Sequence, residues 1–322
     1  MNWFNKFFMA VVGCAALVLP VHAQQNSFPN RPITLIVPYS VGGAADVVAR
    51  MMAEKAGELL GQPIVVANRP GAGGALAAGV VAKSVPDGYT LLLTSVAICA
   101  INPHMSQLTY SPLDDLAPVA LLATTYTTLV VNASSPFNSV QELIDYARKN
   151  PGKLNFGSSG KGSITHLTGE LFAMAAGIKL SHVPYRGNPQ VITDLVGGQI
   201  QLAFDGAWLT NVKSGMVKAL AYTGNKRFPA MPDVPTMAEA GLTQYKGFEP
   251  WTGIAAPAGT PAPVLAKLTQ AMLQASNDPK IIARLEASGA EPRHIAPKEM
   301  AEISRRDYNL LGDVIKRVGI DQ

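Results

Sequence analysis

Short runs of β-branched and aliphatic residues alternate along most of the chain with stretches of helical period. Ile33–Val37 is a continuous apolar run of the length of a buried strand. After the turn-forming Tyr39-Ser40-Val41-Gly42-Gly43, the residues Val48, Met52, Ala56 and Leu59 share one helical face, which predicts a helix over Ala44–Leu60. Gly61-Gln62-Pro63 stops it, and Ile64-Val65-Val66 opens a second strand. The pattern predicts a helix near 75–83 and strands at 90–94, 119–122 and 128–131. Ser139 and Glu142 have the spacing of a capping box before a helix whose Val140, Leu143, Ile144 and Ala147 share a face. A strand at 153–156 leads through Gly157-Ser158-Ser159-Gly160-Lys161-Gly162-Ser163 into a helix closed by Gly177. Strands at 179–183, 199–204 and 218–222 follow. From Pro261 the chain reads as helical, with a last helix starting near Pro297. Such alternation predicts an α/β architecture of parallel strands joined by crossover helices.

The first residues have another origin. Lys6 precedes an apolar run from Phe7 to Leu19, and Val21-His22-Ala23 places small residues ahead of the polar Gln24-Gln25. This is the pattern of a secretory signal peptide over 1–23, with cleavage after Ala23 and a run too short to span a bilayer. Val11-Val12-Gly13-Cys14 resembles a lipoprotein processing site, but the apolar stretch continues past Cys14, where such a site should end it. Export to the periplasm is expected on either reading.

Removing 23 of the 322 residues leaves enough chain for about two ordinary domains. Only Cys99 survives, in the apolar Val96-Ala97-Ile98-Cys99-Ala100-Ile101, so no internal disulfide is possible and a buried, inert thiol is expected. The formal charge of +4, one unit of it from Lys6, is too small for a nucleic-acid reader, and no Lys/Arg stripe occurs.

Two Gly/Ser-rich turns join a strand to a helix, at Ser40–Gly43 and at Gly157–Ser163. Backbone N–H groups and the positive end of a helix dipole meet at such turns, an arrangement suited to a carboxylate or equally to a plain capped turn. Ser40, Ser158, Ser159 and Ser163 add hydroxyl donors, and Gly42, Gly43 and Gly160 permit close approach to the backbone. Asp46 lies in the first turn of its helix, where it complements the dipole or contacts a ligand. Thr165 and His166 follow the second turn. Arg186 could pair with a carboxylate or be a solvated charge, and Asp205 follows the strand predicted at 199–204. Ser158 and Lys161 match S-x-x-K, but neither S-D-N nor K-T-G occurs. Gly71-Ala72-Gly73-Gly74-Ala75-Leu76 puts Leu where a dinucleotide fingerprint needs its third glycine, and His104, His166, His182 and His294 lack metal-ligand spacing. No cofactor, metal or catalytic residue is expected.

The strings ITLIVPYSVGGAADVVAR from Ile33, Asn68-Arg69-Pro70-Gly71-Ala72-Gly73-Gly74, Pro86-Asp87-Gly88-Tyr89-Thr90-Leu91-Leu92 and Asn102-Pro103 resemble the Bug-type receptors of tripartite tricarboxylate transporters. GSSGKGSITH from Gly157, HVPYRG from His182, DLVGGQ from Asp194, PDVPTMAEAG from Pro232 and APAGTP from Ala256 continue the resemblance in order. It implies a two-lobed type II periplasmic binding protein of Venus-flytrap form, each lobe a sheet flanked by helices. It also implies a large and a small integral membrane partner. In the family the ligand carboxylate meets the loop after the first strand, here Tyr39 to Gly43, and the opposing Ser158 to Thr165 loop. Tyr39 stands where the family commonly has Phe. If Ser95 and the apolar residues after it line the cleft, an aromatic or aliphatic acid becomes plausible.

The expected organisation is lobe 1 from 26–124 and 229–322 and lobe 2 from 125–228, with crossings near Thr124 and Arg227. The expected function is capture of a small carboxylate by a monomer that serves a secondary transporter. An orphan signalling receptor and a serine hydrolase using Ser158 and Lys161 are the alternatives.

Overall fold

The computed structural model describes residues 28–42, 44–206, 208–245 and 248–320. The export signal, Cys14, the expected cleavage point after Ala23, and Gly43 lie outside the described residues. The strands sort into two sheets. The first contains β1 (Ile33–Val37), β2 (Ile64–Asn68), β3 (Thr90–Ser95), β4 (Leu116–Thr125), β10 (Trp251–Pro257) and β11 (Ala290–Ile295), in the order β11-β4-β10-β3-β1-β2. The second contains β5 (Thr128–Asn132), β6 (Asn155–Ser158), β7 (Ser181–Pro184), β8 (Leu202–Asp205) and β9 (Val217–Tyr222), in the order β7-β6-β8-β5-β9.

Pairs β1–β2, β1–β3, β6–β7 and β6–β8 are parallel, as the alternation predicts. The sheets are nevertheless mixed. β5 is antiparallel to β8 and β9, and β10 is antiparallel to β3 and β4. These two are the strands by which the chain enters the other sheet. Tyr126 and Thr127 alone separate β4 from β5, too few residues for a crossover helix.

The inner strands of each sheet are buried on both faces, which is why Ile33–Val37 and residues 128–131 are near-continuous apolar runs rather than alternating ones, while the edge strands β2, β7 and β11 are partly exposed. Leu35, Val37, Leu91 and Leu93 meet Met52 and Ala56 of α1 (Ala44–Leu60) and Leu268 and Met272 of α8 (Ala262–Ser276). The opposite face, with Ile36, Leu92 and Leu121, packs on α2 (Ala75–Ala82) and α10 (Pro297–Val318). In the second sheet Leu129, Phe156, Leu202 and Phe204 meet α4 (Val140–Lys149) and α5 (Ile164–Ala176). Its other face, with Val130 and Ala203, covers Val191 and Leu195 of α6 (Asn188–Val196) together with Trp208. α10 also packs on α5, so one apolar cluster runs through both lobes.

Two expectations need correction. Val96, Ile98, Cys99, Ala100 and Ile101 do not line a cleft: they are buried, with Ala97–Ile101 forming a π-helical turn packed against α10. Their apolar character is that of core. The chain also does not return to the first sheet at Arg227. Phe228 and Met231 cluster with Tyr126 and Tyr222, and Tyr222 exchanges backbone hydrogen bonds with Pro235 and Met237, which holds this segment beside β9. The return comes at Pro250, whose carbonyl accepts from Thr125 N–H, because apolar residues over 228–242 find their burial with the second sheet.

Candidate functional site

The first loop leaves β1 at its C-terminal end and opens α1. Gly42 has φ +82, which selects glycine although open space surrounds it. Ser40, Val41 and Gly42 are exposed at the tip. Behind them the Tyr39 hydroxyl lies 3.2 Å from Ser95 Oγ, to which it donates, and burial raises the Tyr39 pKa above its ordinary value. Asp46 is 1 % exposed and organises the loop. Its Oδ2 accepts from Gly42 N–H at 2.9 Å and Arg50 Nε at 3.0 Å, and its Oδ1 from Asn68 Nδ2 at 2.7 Å. Asn68 in turn donates to the Tyr39 carbonyl and accepts from Arg50. The Arg50 hydrogen bond, then those from Asn68 and Gly42, hold the Asp46 carboxyl down to about 2 against the opposing effect of burial. Both oxygens are therefore committed to the chain itself. Asp46 shapes the cradle from beneath.

The second loop leaves β6 at its C-terminal end and opens α5. Ser163 caps that helix by accepting from His166 N–H. Thr165 ties the turn together: its Oγ1 accepts from Ser159 N–H at 2.9 Å and lies 3.1 and 3.0 Å from the hydroxyls of Ser159 and Ser163. Gly162, at φ +75, donates its N–H to His166 Nδ1 at 3.0 Å. That bond leaves the His166 proton on Nε2, which faces Glu170 at 3.5 Å. His166 is 2 % exposed and stacks on His182 with centroids 3.7 Å apart. It is thus a packed capping partner of the turn.

Ser158 is fully buried, with its Oγ 2.6 Å from His182 Nε2, and it also accepts from Gly160 N–H. Burial, reinforced by the neighbouring His166, holds the His182 pKa down to about 4, so the ring is neutral at pH 7 and shares one hydrogen bond with the Ser158 hydroxyl. Lys161 is exposed, and the hydrogen bonds of the Ser158 hydroxyl run to Gly160 and His182. A Ser–His pair exists, but its serine is closed to solvent. Arg186 is exposed in the adjoining loop, where Tyr185 N–H donates to the Ser158 carbonyl. Asp205, at the end of β8, joins Ser158, Thr165, Asn188 and Trp208 around a small pocket under the turn. The Trp208 indole N–H is buried there without a partner among the described residues.

Tyr39, Gly42, Asp46 and Ser95 thus gather at the strand ends of one lobe. Ser158, Ser159, Gly160, Ser163, Thr165, His166, Arg186 and Asp205 gather at those of the other. The lobes meet at the rim, where Gly162 lies against Met105 of α3 (Asn102–Met105), close enough that an added Cβ would come within 2.7 Å of Met105 Cε. Asn68, Arg50, His182 and Trp208 escaped sequence reasoning. Asn68 and His182 stand inside strings already singled out, but only three-dimensional pairing gives them a role. Among the described residues no group of three or more His, Cys, Asp or Glu is placed to hold a metal, and no helix is long and apolar enough to cross a membrane.

A family model described as the tripartite tricarboxylate transporter family receptor matches residues 48–320. BugT of Bordetella pertussis is 34% identical over 316 residues, covering 97% of this chain and 95% of BugT. A solved Rhodopseudomonas palustris protein with adipate is 34% identical with a TM-score of 0.75, covering 91% of this chain and 98% of its own. MatC of the same organism, with bound malate, is 33% identical with a TM-score of 0.72, covering 89% of this chain and 100% of its own.

Proposed function

This chain belongs to the tripartite tricarboxylate transporter receptor family, and from that premise we propose that it captures a small carboxylate between its lobes for a secondary transporter. The observation that carries this reading is the pairing of two strand-to-helix turns, one per lobe, each fixed from beneath by its own hydrogen-bond hub, Asp46 and Thr165. Helix N-termini and turn N–H groups favour an anion without requiring a full positive charge. Because Arg50 compensates Asp46, the first turn presents no bare negative charge to repel one. The adipate and malate of the two Rhodopseudomonas palustris relatives are carboxylates, which supports the same ligand class here.

Binding closes the lobes about the crossings at Tyr126–Thr127 and Glu249–Pro250, with the carboxylate contacting Ser40 and Gly42 on one side and Ser159, Gly160 and Ser163 on the other. The closed monomer then docks on a large and a small integral membrane subunit. The export pattern over 1–23 supports a periplasmic setting for this traffic. The hydrolase alternative fares worse, since a fully buried Ser158 cannot reach a scissile bond without rebuilding the turn.

The test is a thermal-shift screen of residues 24–322 against di- and tricarboxylates, acidic amino acids and aromatic acids, followed by calorimetry. A ligand at about 100 times its dissociation constant adds roughly 2.7 kcal/mol of stability. One-to-one binding that Thr165→Val weakens supports the reading, and silence of the folded protein across every carboxylate overturns it.

A further inference from the structure

The first lobe contains a recess that neither the cradle nor the core accounts for. Ala45 and Val48 of α1, Leu93 of β3, Leu122 of β4, Leu285 of α9 (Pro279–Ala287) and Ala290 of β11 wall a space of about 200 Å³. Elsewhere the same sheet face is closed by Met52, Ala56, Leu268 and Met272, yet here the first turn of α1 and the last turn of α9 stand apart. An apolar cavity of about 150 Å³ accommodates a benzene ring. The polar groups around the recess are Thr125, Thr252 and Ser288, and the Ser288 hydroxyl is taken by the Leu285 carbonyl.

The recess lies next to the cradle along α1 and β3. Ala45 follows Gly42 by three residues, and Val48 is one helical turn further along the same face of α1. Leu93 lies two residues before Ser95 on β3, so the two side chains share a sheet face, and Thr252 pairs directly with Ser95. A molecule whose carboxylate rests on the Ser40–Gly42 turn therefore meets an apolar opening as it leaves the turn. A fully polar tricarboxylate would bury a charged end there without partners, which is costly. A hydrocarbon or aromatic tail would be stabilised.

We propose that this recess is the tail subsite, and that the ligands are carboxylates carrying an aliphatic or aromatic tail of about a benzene ring's bulk. This rests on the carboxylate-receptor reading. The tail contacts α1, α9 and the ends of β3 and β4, and the apolar residues after Ser95 take no part.

Calorimetry on residues 24–322 with propanoate, hexanoate and 3-phenylpropanoate, and with succinate as a tail-free reference, tests the assignment. Affinity should rise about fourfold per buried methylene, the ratio that corresponds to about 0.8 kcal/mol. Val48→Phe, which fills the recess, should erase that gain while leaving succinate binding unchanged. Leu285→Phe fills it from the opposite wall and serves if the first variant melts early. A flat series with normal succinate binding overturns the tail subsite and leaves the receptor reading standing. A tail-dependent gain that survives both filling variants places the tail elsewhere and also overturns it. Failure of every carboxylate, succinate included, removes the receptor reading and the subsite with it.

Discussion

Asp46→Asn probes the scaffold of the first turn most directly. Three donors converge on two oxygens: Gly42 N–H and Arg50 Nε on Oδ2, and Asn68 Nδ2 on Oδ1 at 2.7 Å. An asparagine offers one oxygen, so whichever way it turns its NH₂ confronts at least one of these donors. Asn68 cannot rotate to compensate, because its own amide is fixed by the Tyr39 carbonyl at 3.0 Å and by Arg50 at 2.8 Å. The carboxyl's descent from 3.8 to about 2 sets a scale of roughly 2 kcal/mol at about 1.4 kcal/mol per unit. Arg50 is 47% exposed, so solvent screening makes that an upper bound for the charge effect. The stranded donor adds about 1 kcal/mol or more. A loss near 2 kcal/mol at pH 7 is expected, or about 3 °C in Tm for a chain of this size. Since the folded pKa lies below the unfolded one, the stabilisation is complete above about pH 4 and is lost as pH falls through about 2. Urea denaturation of both proteins at pH 7, 4 and 2.5 should therefore show a gap that narrows at the acid end, and carboxylate affinity should fall because Gly42 is no longer held. A variant within about 0.5 kcal/mol of the parent at pH 7, the range of an ordinary surface change, would refute the scaffold role, as would a gap unchanged at pH 2.5.

Three further outcomes are expected. His182, held near 4 in the fold against an ordinary 6.5, contributes stability that is complete above pH 6.5 and is lost as pH falls through 4; His182→Phe should flatten the denaturation profile across that interval. The Cys99 thiol, pushed up to about 11 by burial, should resist a thiol reagent at pH 8 in native protein and react once in urea; rapid native labelling would contradict its burial. Gly162→Val imposes a β-branched residue at φ +75 and drives Cβ into Met105, so small-angle scattering should report a more open particle and calorimetry a weaker ligand; unchanged curves would show that the rim contact does not govern closure.

Local periodicity and capping made much of the architecture legible. On the predicted face of α1, Met52 and Ala56 are buried and Val48 is half-buried, whereas Leu59 at the helix end is exposed; the strand Ile33–Val37 is buried apart from half-buried Thr34. Ser139 caps its helix by accepting from Glu142 N–H, although the Glu142 carboxylate reaches back to Asn138 N–H, one residue before the cap. What sequence could not supply was pairing across distance. Nothing local tells that Trp251–Pro257 runs antiparallel between β3 and β4, since an apolar run carries no direction. The run from Val96 to Ile101 looked equally suited to a cleft wall or a core, and α10, two hundred residues away, decides for core. In the candidate site the turn glycines and serines were visible because turn chemistry is local. The Asp46 hub and the anchoring of Ser158 beneath them depend on Asn68 and His182 arriving from neighbouring strands.

The central position of β10 sets a schedule for the growing chain. β3 and β4 have no edge in common until Trp251–Pro257 fills the gap between them, so the first sheet stays in two halves until most of the polypeptide exists. The second sheet, whose strands all lie between Thr128 and Tyr222, is complete before that point. A chain emerging from a ribosome or a translocation pore, N-terminus first, thus finishes its inserted lobe before the lobe into which it is inserted. β3 and β4 wait longest for the strand they share, and they are the ones a holding chaperone would need to cover.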